Sequence, residues 1–215
     1  MLLSEFDSKL LLREYGIATV EEALARDGAE AVRRAAEIGY PVAVKLCAPG
    51  LAHKTERDLV RLGLASERAV AAAAAELLEL RREEEKQATL LVQRMVSGRR
   101  ELILGLVRDR QFGPCVMLGL GGILAEAIRD VVFRVAPLSL VEGLEMIDDL
   151  AASHLLGPFR GEPAADRAAV AGCLVALGQI GVERPEILAI DVNPMILFGA
   201  KPVAVDALVE RGERR

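Results

Sequence analysis

The chain has 215 residues, enough for one large domain or two small lobes with a substantial hydrophobic core. Its net charge of -5 and its 3% aromatic content argue against a nucleic-acid-binding protein. Phosphate backbones require a basic surface, and unpaired bases stack on aromatic rings. The 52% hydrophobic content, mostly alanine, leucine and valine, excludes a disordered chain and predicts a helix-rich protein that also contains strands.

Three features of the sequence predict a cytoplasmic protein that does not enter membranes. The longest uncharged run, residues 111–125, is shorter than the roughly 20 residues of a spanning helix and is interrupted by proline and glycine. The N-terminal segment carries charges throughout, so it is not expected to be a signal peptide. Cys47, Cys115 and Cys173 lie far apart in apolar runs and are predicted to be buried thiols, which suits a reducing compartment.

The first half of the chain is predicted to contain three helices and a strand–loop–strand unit. Ser4 and Asp7 resemble a capping box, and Gly16 is a good helix stop. Ser66 is expected to cap a long helix that includes the charged segment "RREEEK". The predicted elements are helices at residues 5–15, 28–38 and 66–86 and strands at residues 40–47 and 59–65.

The second half alternates strands and helices irregularly, and neighbouring strands look connected by hairpins. Ser139 and Glu142 form a second capping box, and Val170, Leu174 and Leu177 mark the apolar face of a further helix. This order predicts an α+β protein with antiparallel sheets, not a doubly wound parallel sheet. The predicted elements are strands at residues 88–96, 100–108, 113–123, 130–138, 186–197 and 202–210 and helices at residues 139–150 and around 170–180.

Lys45 stands in an apolar strand, where a lysine is costly to bury without an anionic partner. Two interpretations are open. The side chain could reach solvent from an edge strand, or its ammonium could bind a nucleotide phosphate.

The C-terminal segment "AIDVNP" places Asp191 and Asn193 two residues apart, so on a strand they share a face. Gly199-Ala200 suits the centre of a two-residue type II′ hairpin turn. Counting back from that turn places Asn193 opposite Asp206, with Cβ atoms about 4.5–5.5 Å apart. Such a set of oxygen ligands suits Mg²⁺, although a polar cluster without an ion is the alternative.

His53, next to Lys54, is the candidate nucleophile. A neutral imidazole can attack a phosphoryl group, and the resulting phosphoramidate transfers readily to ADP. The alternative is an ordinary loop histidine, and His154 is interpreted as structural. The run "LGLGGI" does not complete the G-x-G-x-x-G spacing, so a glycine turn and a backbone approach to phosphate both stay open.

Together these residues resemble the ATP-grasp β chain of ADP-forming acetate–CoA ligases and the single-chain acyl-CoA synthetases that carry the same module. The likeness covers nearly the whole chain and includes "SKLLLREYGI", "YPVAVKL", "AHKTE", "VQRMVSGRRELILGLVRDRQFGPCVMLGLGGILAE", "LLGPFRGEPAAD" and "DVNPMIL". It implies an ATP-grasp fold of two α+β lobes with largely antiparallel sheets. Residues 19–96 would cover the nucleotide, and residues 1–18 with 97–215 would form the metal-binding lobe.

The resemblance also implies residue roles. Lys45 would contact the phosphates of ATP or ADP, and Lys54 would pair with the phosphoryl group that His53 carries. His53 would relay that group between the nucleotide and a histidine of a CoA-binding α subunit, and Asp191 would orient or charge-stabilise the phosphorylated imidazole. CoA and the acyl substrate would bind to the α subunit, in a hetero-oligomer.

The same resemblance assigns the binding of adenine and metal. The hinge strand along adenine would consist of Gln93, Arg94, Met95 and Val96. The Mg²⁺ ligands would be Asn193 and Asp206, with Asp191 beside them.

The chain departs from the family where the histidine loop usually continues with two glycines. Here it reads Arg57-Asp58-Leu59-Val60, and side chains restrict the wrapping of backbone N–H groups around phosphate. A carboxylate facing the triphosphate would oppose nucleotide binding unless it pointed outward or Arg57 neutralised it. A second hypothesis is therefore a degenerate ATP-grasp module that binds a partner or nucleotide without catalysis.

Overall fold

The computed structural model describes residues 1–51, 54–122, 130–158 and 161–212. The chain divides into two compact units. The N-terminal unit comprises Leu2–Asp7 and Val20–Val96, and the C-terminal unit comprises Met1, Ser8–Thr19 and Ser97–Arg215. Residues 2–7 therefore group with the first sheet, whereas the lobe boundaries derived from the sequence put them in the other lobe. The nucleotide-covering and metal-binding roles of those lobes stay predictions.

The N-terminal unit is a four-stranded antiparallel sheet with two helices packed against it. Its strands are β1 Glu22–Ala25, β2 Val42–Cys47, β3 Val60–Leu64 and β4 Thr89–Arg94. They lie in the order β1-β4-β2-β3, so β2 is an inner strand. The short strand β1 was not predicted from the sequence, and it pairs with β4. The helices are α2 Gly28–Ile38 and α3 Glu67–Glu79, and they are preceded by α1 Glu5–Glu14, whose residues are divided between the two units.

Small side chains on the helices allow the core of this unit to pack closely. Strand β2 is buried at every position, and Ala31 of α2 and Ala74 of α3 belong to the same hydrophobic cluster as its Val44. Alanine favours the helical backbone and adds little bulk between helix and sheet. Asp27 caps α2 and Ser66 caps α3, each accepting a hydrogen bond from a backbone N–H of the first turn.

Helix α3 ends earlier than the sequence predicted, at Glu79 and not near residue 86. A 3₁₀ turn at Glu83–Glu85 follows. The Arg81 guanidinium donates to the carbonyl oxygen of Leu78 at 2.9 Å and to that of Lys86 at 3.1 Å. These bonds turn the chain out of the helix, because they satisfy carbonyl groups that a continued helix would have bonded internally.

The C-terminal unit is a six-stranded antiparallel sheet whose order is β10-β8-β5-β6-β7, with β9 also paired to β8. Helix α5 packs on β5 and β6, and the apolar face predicted for it is buried. The Ser139–Glu142 capping box is present at the start of α4. The bounds are β5 Glu101–Asp109, β6 Gly113–Leu120, β7 Val131–Val135, α4 Leu140–Asp149, α5 Arg167–Glu183, β8 Ile187–Phe198, β9 Lys201–Ala204 and β10 Ala207–Arg211.

The α+β class with antiparallel sheets is confirmed. The three cysteines are free thiols, of which Cys47 and Cys173 are buried and Cys115 is half-buried. A cytoplasmic location stays a prediction. Among the described residues, no helix has the length and apolar character needed to cross a bilayer.

Candidate functional site

The C-terminal hairpin has the register that the sequence predicted. Met195 pairs with Ala204 on one side of the Asn193 position, and Val192 pairs with Ala207 on the other. Asn193 donates its backbone N–H to the carbonyl oxygen of Asp206 at 3.2 Å. Gly199 has φ +62°, whereas Ala200 is not among the described residues with a positive φ. A positive φ at the first central residue only is the sign pattern of a type II′ turn.

The alternation of β8 puts polar side chains on its open face. Asp191 and Asn193 are exposed, whereas Val192 between them is fully buried. Desolvation by the surrounding protein, and then the charge of Asp206, raise the pKa of the Asp191 carboxyl above its usual value. The charge of Asp206 thus disfavours ionisation of Asp191, and a bound cation would relieve that repulsion.

These ligands fit Mg²⁺, which prefers carboxylate and carbonyl oxygens and retains water or phosphate in its shell. Within the described ranges, no three His, Cys, Asp or Glu side chains cluster closely enough to hold a metal ion by themselves. Asp191, Asp206 and the Asn193 amide would therefore supply part of the shell and leave positions for phosphate oxygens. The metal-binding role of these three residues stays a prediction.

Lys45 lies on the inner strand β2, and its side chain is only 6% exposed. The interpretation as an edge-strand lysine reaching solvent is therefore wrong. Its ammonium donates to Glu5 Oε1 at 2.7 Å. The buried lysine thus has the anionic partner that its position requires, and that partner belongs to the protein.

Glu5 was not identified from the sequence as a site residue. It is the first residue of α1, directly after the Ser4 cap, and acidic residues are common there because they interact favourably with the helix dipole. Its other oxygen, Oε2, accepts a hydrogen bond from Lys54 Nζ. The side chains of Glu5 and Lys54 are 2% and 10% exposed. Because Lys45 is 40 residues away along the chain, no local pattern signals this contact.

The predicted nucleophile His53 lies outside the described residues, so its role stays a prediction. The residues that follow it are described as far as the next strand. Leu59 donates its backbone N–H to the Lys54 carbonyl oxygen at 2.8 Å, and Asp58 donates to that of Thr55 at 3.1 Å. The C-terminal part of the histidine loop therefore folds back on itself before β3.

Asp58 points outward, and its side chain is 79% exposed. Arg61 holds both carboxylate oxygens, at 3.0 and 3.1 Å. Arg57 instead donates to both oxygens of Glu85, at 2.5 and 2.8 Å. The neutralising partner of Asp58 is thus Arg61 and not Arg57.

Leu59 is a core residue. It is 1% exposed and packs in the same hydrophobic cluster as Val44 and Leu46. The Leu59 side chain therefore contributes to the core of the N-terminal unit.

The predicted hinge strand is the end of β4 and the two residues after it. The Gln93 side chain is buried, and Arg94 donates to the Glu21 carboxylate at 3.1 Å. Met95 donates its backbone N–H to the Pro41 carbonyl oxygen at 3.2 Å, and Val96 is the last residue of the N-terminal unit. The contact of this segment with adenine stays a prediction.

The glycine run after β6 allows a close backbone approach. Gly121 donates to the Glu101 carbonyl oxygen at 2.7 Å, and a Cβ at Gly121 would lie 3.0 Å from the Cβ of Glu101. Residues 123–129 are outside the described ranges, so a role of this run in phosphate binding stays open.

A family model described as an ATP-grasp domain matches residues 1–210. The chain belongs to the ATP-grasp family. Its antiparallel α+β architecture is the ATP-grasp fold, as the resemblance implied.

This ATP-grasp chain is 38% identical over 208 residues to the Acetate–CoA ligase [ADP-forming] I subunit beta of Pyrococcus furiosus. The match covers 95% of this chain and 90% of that protein. Within the ATP-grasp family, the chain therefore belongs to the group that includes the β subunits of ADP-forming acetate–CoA ligases.

Solved structures of Ca. Korarchaeum cryptofilum dinucleotide forming Acetyl-coenzyme A synthetase 1 are similar to this ATP-grasp chain. The complex with coenzyme A, Ca-AMPCP and HgCl+ has a TM-score of 0.91 and 40% identity, covering 98% of this chain and 93% of that one. A complex with coenzyme A and Mg-AMPPCP, described with its phosphohistidine segment pointing towards the nucleotide binding site, has a TM-score of 0.84. It is 40% identical and covers 97% of this chain and 92% of that one.

Proposed function

We propose that this chain is the nucleotide-binding subunit of an ADP-forming acyl-CoA synthetase and that it transfers a phosphoryl group through His53. The observation that carries the proposal is the cluster of Asp191, Asn193 and Asp206 at the predicted hairpin register, in a chain that matches a β subunit over 95% of its length. The net reaction would be acyl-CoA + ADP + phosphate = acid + CoA + ATP.

The transfer would occur in two displacements. A ring nitrogen of His53 would bond to phosphorus as the N–P bond to the partner's phosphohistidine breaks. A terminal phosphate oxygen of ADP would then bond to the same phosphorus as the His53 N–P bond breaks, which gives ATP and returns the imidazole to its neutral form. Splitting the reaction in this way requires a nucleophile held in line with each phosphoryl donor.

The protein's contribution would be positioning and electrostatics. Lys45, fixed on an inner strand, would place its ammonium against the nucleotide phosphates, and Lys54 would accompany the phosphoryl group on His53. Asp191 would orient the imidazole. A bound Mg²⁺, held by Asn193 and Asp206 with Asp191, would supply neutralisation of the phosphate charge.

The family includes relatives named as β subunits, which supports a partner chain. We propose a CoA-binding α subunit that holds CoA and the acyl group and contributes its own phosphohistidine. Assembly would be a hetero-oligomer.

The second candidate function is a degenerate module that does not catalyse transfer. It rests on Asp58-Leu59 in place of two glycines. Two observations weaken this alternative. The Asp58 carboxylate points outward and pairs with Arg61, so it adds no unscreened charge beside the lysines. Leu59 is uncharged and is buried in the core.

Labelling of the wild-type chain tests the proposed function. With the α partner, Mg²⁺ and ATP carrying a labelled γ-phosphate, the β chain should acquire an acid-labile, base-stable label at His53. His53→Ala should abolish the label on this chain. His154→Ala is the matched control, since it removes the chain's other histidine, which is exposed, and should leave labelling unchanged. Absence of label in the complete wild-type complex would refute the transfer role.

A further inference from the structure

We infer that Glu5 is a positioning residue for phosphoryl transfer. Its carboxylate holds the ammonium groups of Lys45 and Lys54 in place together. This inference rests on the proposed function, because Glu5 would position the two lysines to which that function assigns roles. Glu5 Oε1 accepts from Lys45 and Oε2 accepts from Lys54, so one carboxylate bridges two ammonium groups. Charge-assisted bonds of this kind are short and directional, and they restrict where each Nζ can lie.

The bridge connects three separate parts of the N-terminal unit. Glu5 opens α1, Lys45 lies on β2, and Lys54 follows His53 in the loop. A second contact joins the same segments, since Gly50 donates its backbone N–H to the carbonyl oxygen of Leu2 at 3.1 Å. The histidine loop is thus tied to the N-terminal segment on both sides of His53.

Glu5 is itself held firmly. Ser4 Oγ accepts from the backbone N–H of Asp7 at 3.1 Å and donates to its carboxylate at 2.6 Å, which fixes the first turn of α1. The Glu5 side chain is 2% exposed. A carboxylate so enclosed cannot swing into solvent when a nucleotide arrives, so it acts as a fixed part of the site and not as a displaceable substitute for phosphate.

A purely stabilising role explains this arrangement less well. Burying charges removes them from water, and apolar residues of similar volume usually stabilise a core at least as well as a buried ion pair. Two lysines and a glutamate at such a place are better explained by a requirement for two ammonium groups at set positions. That requirement is met where a phosphoryl group must be received and passed on.

The test compares rates of His53 phosphorylation at saturating Mg-ATP in the complete complex, together with Mg-ATP affinity and the urea midpoint of each variant. Glu5→Gln keeps the shape of the side chain but removes its charge, and Glu5→Asp keeps the charge but is too short to bridge both lysines. Both should lower the rate by about 100-fold, the loss expected when reacting groups are misplaced by about 1 Å. Mg-ATP affinity should change much less than the rate. Glu37→Gln is the control, since it alters an exposed glutamate of the same unit that pairs with Arg34.

A double-mutant cycle separates positioning from a structural role. If Glu5 acts through Lys54, then Glu5→Gln combined with Lys54→Gln should be no slower than the slower single variant. Multiplying effects, or folded Glu5 variants with the wild-type rate, would overturn the inference. Where Glu5→Gln does not fold, Glu5→Asp decides. Absence of label at His53 in the complete wild-type complex would instead overturn the proposed function, and this inference with it.

Discussion

Asp58 keeps a backbone conformation that suits glycine, although it stands where the resemblance leads us to expect a glycine. Its φ of +56° lies in the left-handed region, where glycine is favoured and aspartate is among the better-tolerated alternatives. The backbone at this position therefore follows a path that a glycine would also adopt. The substitution changes the side chain, which is exposed and paired with Arg61, more than it changes the loop.

Replacing Asp58 with glycine should leave Mg-ATP affinity unchanged, because an exposed and paired carboxylate contributes little to the potential at the site. Isothermal calorimetry on the wild type and Asp58→Gly measures this. A large gain in affinity for the glycine variant would show that Asp58 opposes nucleotide binding.

Leu59→Ala serves as a contrast. It should lower the free energy of unfolding by about 2–5 kcal/mol, since it opens a cavity in the core.

At the scale of elements, the segment after α3 shows how charged residues decide where a helix stops. The helix gives way to a 3₁₀ turn in which Glu85 meets Arg57 across 28 residues of sequence. This ion pair joins the loop that precedes β3, where Arg57 lies, to the 3₁₀ turn that precedes β4. The charged segment is therefore not a continuation of α3, and Glu85 within it makes a structural contact although most of its neighbours are exposed.

The Arg57–Glu85 pair predicts a pH-dependent stability. The hydrogen bond from Arg57 is the main cause that lowers the pKa of Glu85 from 4.5 to about 2. A carboxyl group whose pKa is depressed on folding contributes stability that is fully present above its unfolded pKa. This contribution is lost as the pH falls from about 4.5 through about 2.

Glu85→Gln should therefore lower the free energy of unfolding at pH 7 by about 1–2 kcal/mol, a figure reduced for the solvent around the pair. The difference from the wild type should shrink as the pH falls below 4.5 and disappear near 2. Urea unfolding across this range measures it. The neighbouring exposed residue provides the control, and Glu84→Gln should show no such trend. A difference that persists at pH 2 would mean that shape and not charge is responsible.

At the scale of the whole molecule, the chain matches nearly all of a relative that is named as one subunit of an enzyme. The chemistry proposed for its residues concerns phosphoryl groups and a metal ion. The steps at CoA and the acyl group are assigned to the partner chain under the proposed function. Activity should therefore belong to the assembly and not to this chain.

The chain alone, given acetyl-CoA, phosphate, Mg²⁺ and ADP, should form no ATP. Addition of a CoA-binding α subunit should restore ATP synthesis, because the phosphohistidine donor is then present. A coupled ATP assay measures the difference, with His53→Ala plus the same partner as the control. Phosphate-dependent ATP synthesis by the isolated chain would contradict the division of labour.

The features that could be predicted without the fold are those set by neighbouring residues. The turn at Gly199 covalently joins β8 and β9, so counting outward from it was enough to place Asn193 opposite Asp206. Capping residues likewise set the starts of α2, α3 and α4, because a cap satisfies backbone groups only three residues away. Turn type and capping are local interactions, and they can be identified without knowing the fold.

The partners of the buried charges could be found only from the folded structure. Glu5 meets Lys45 and Lys54 from 40 and 49 residues away, and Arg57 pairs with Glu85 from 28 residues away. Each of these pairings depends on how helix, sheet and loop pack together, and several carboxylates in the sequence could have served each cation. The free energy that selects one partner comes from burial and long-range packing, which no short segment encodes.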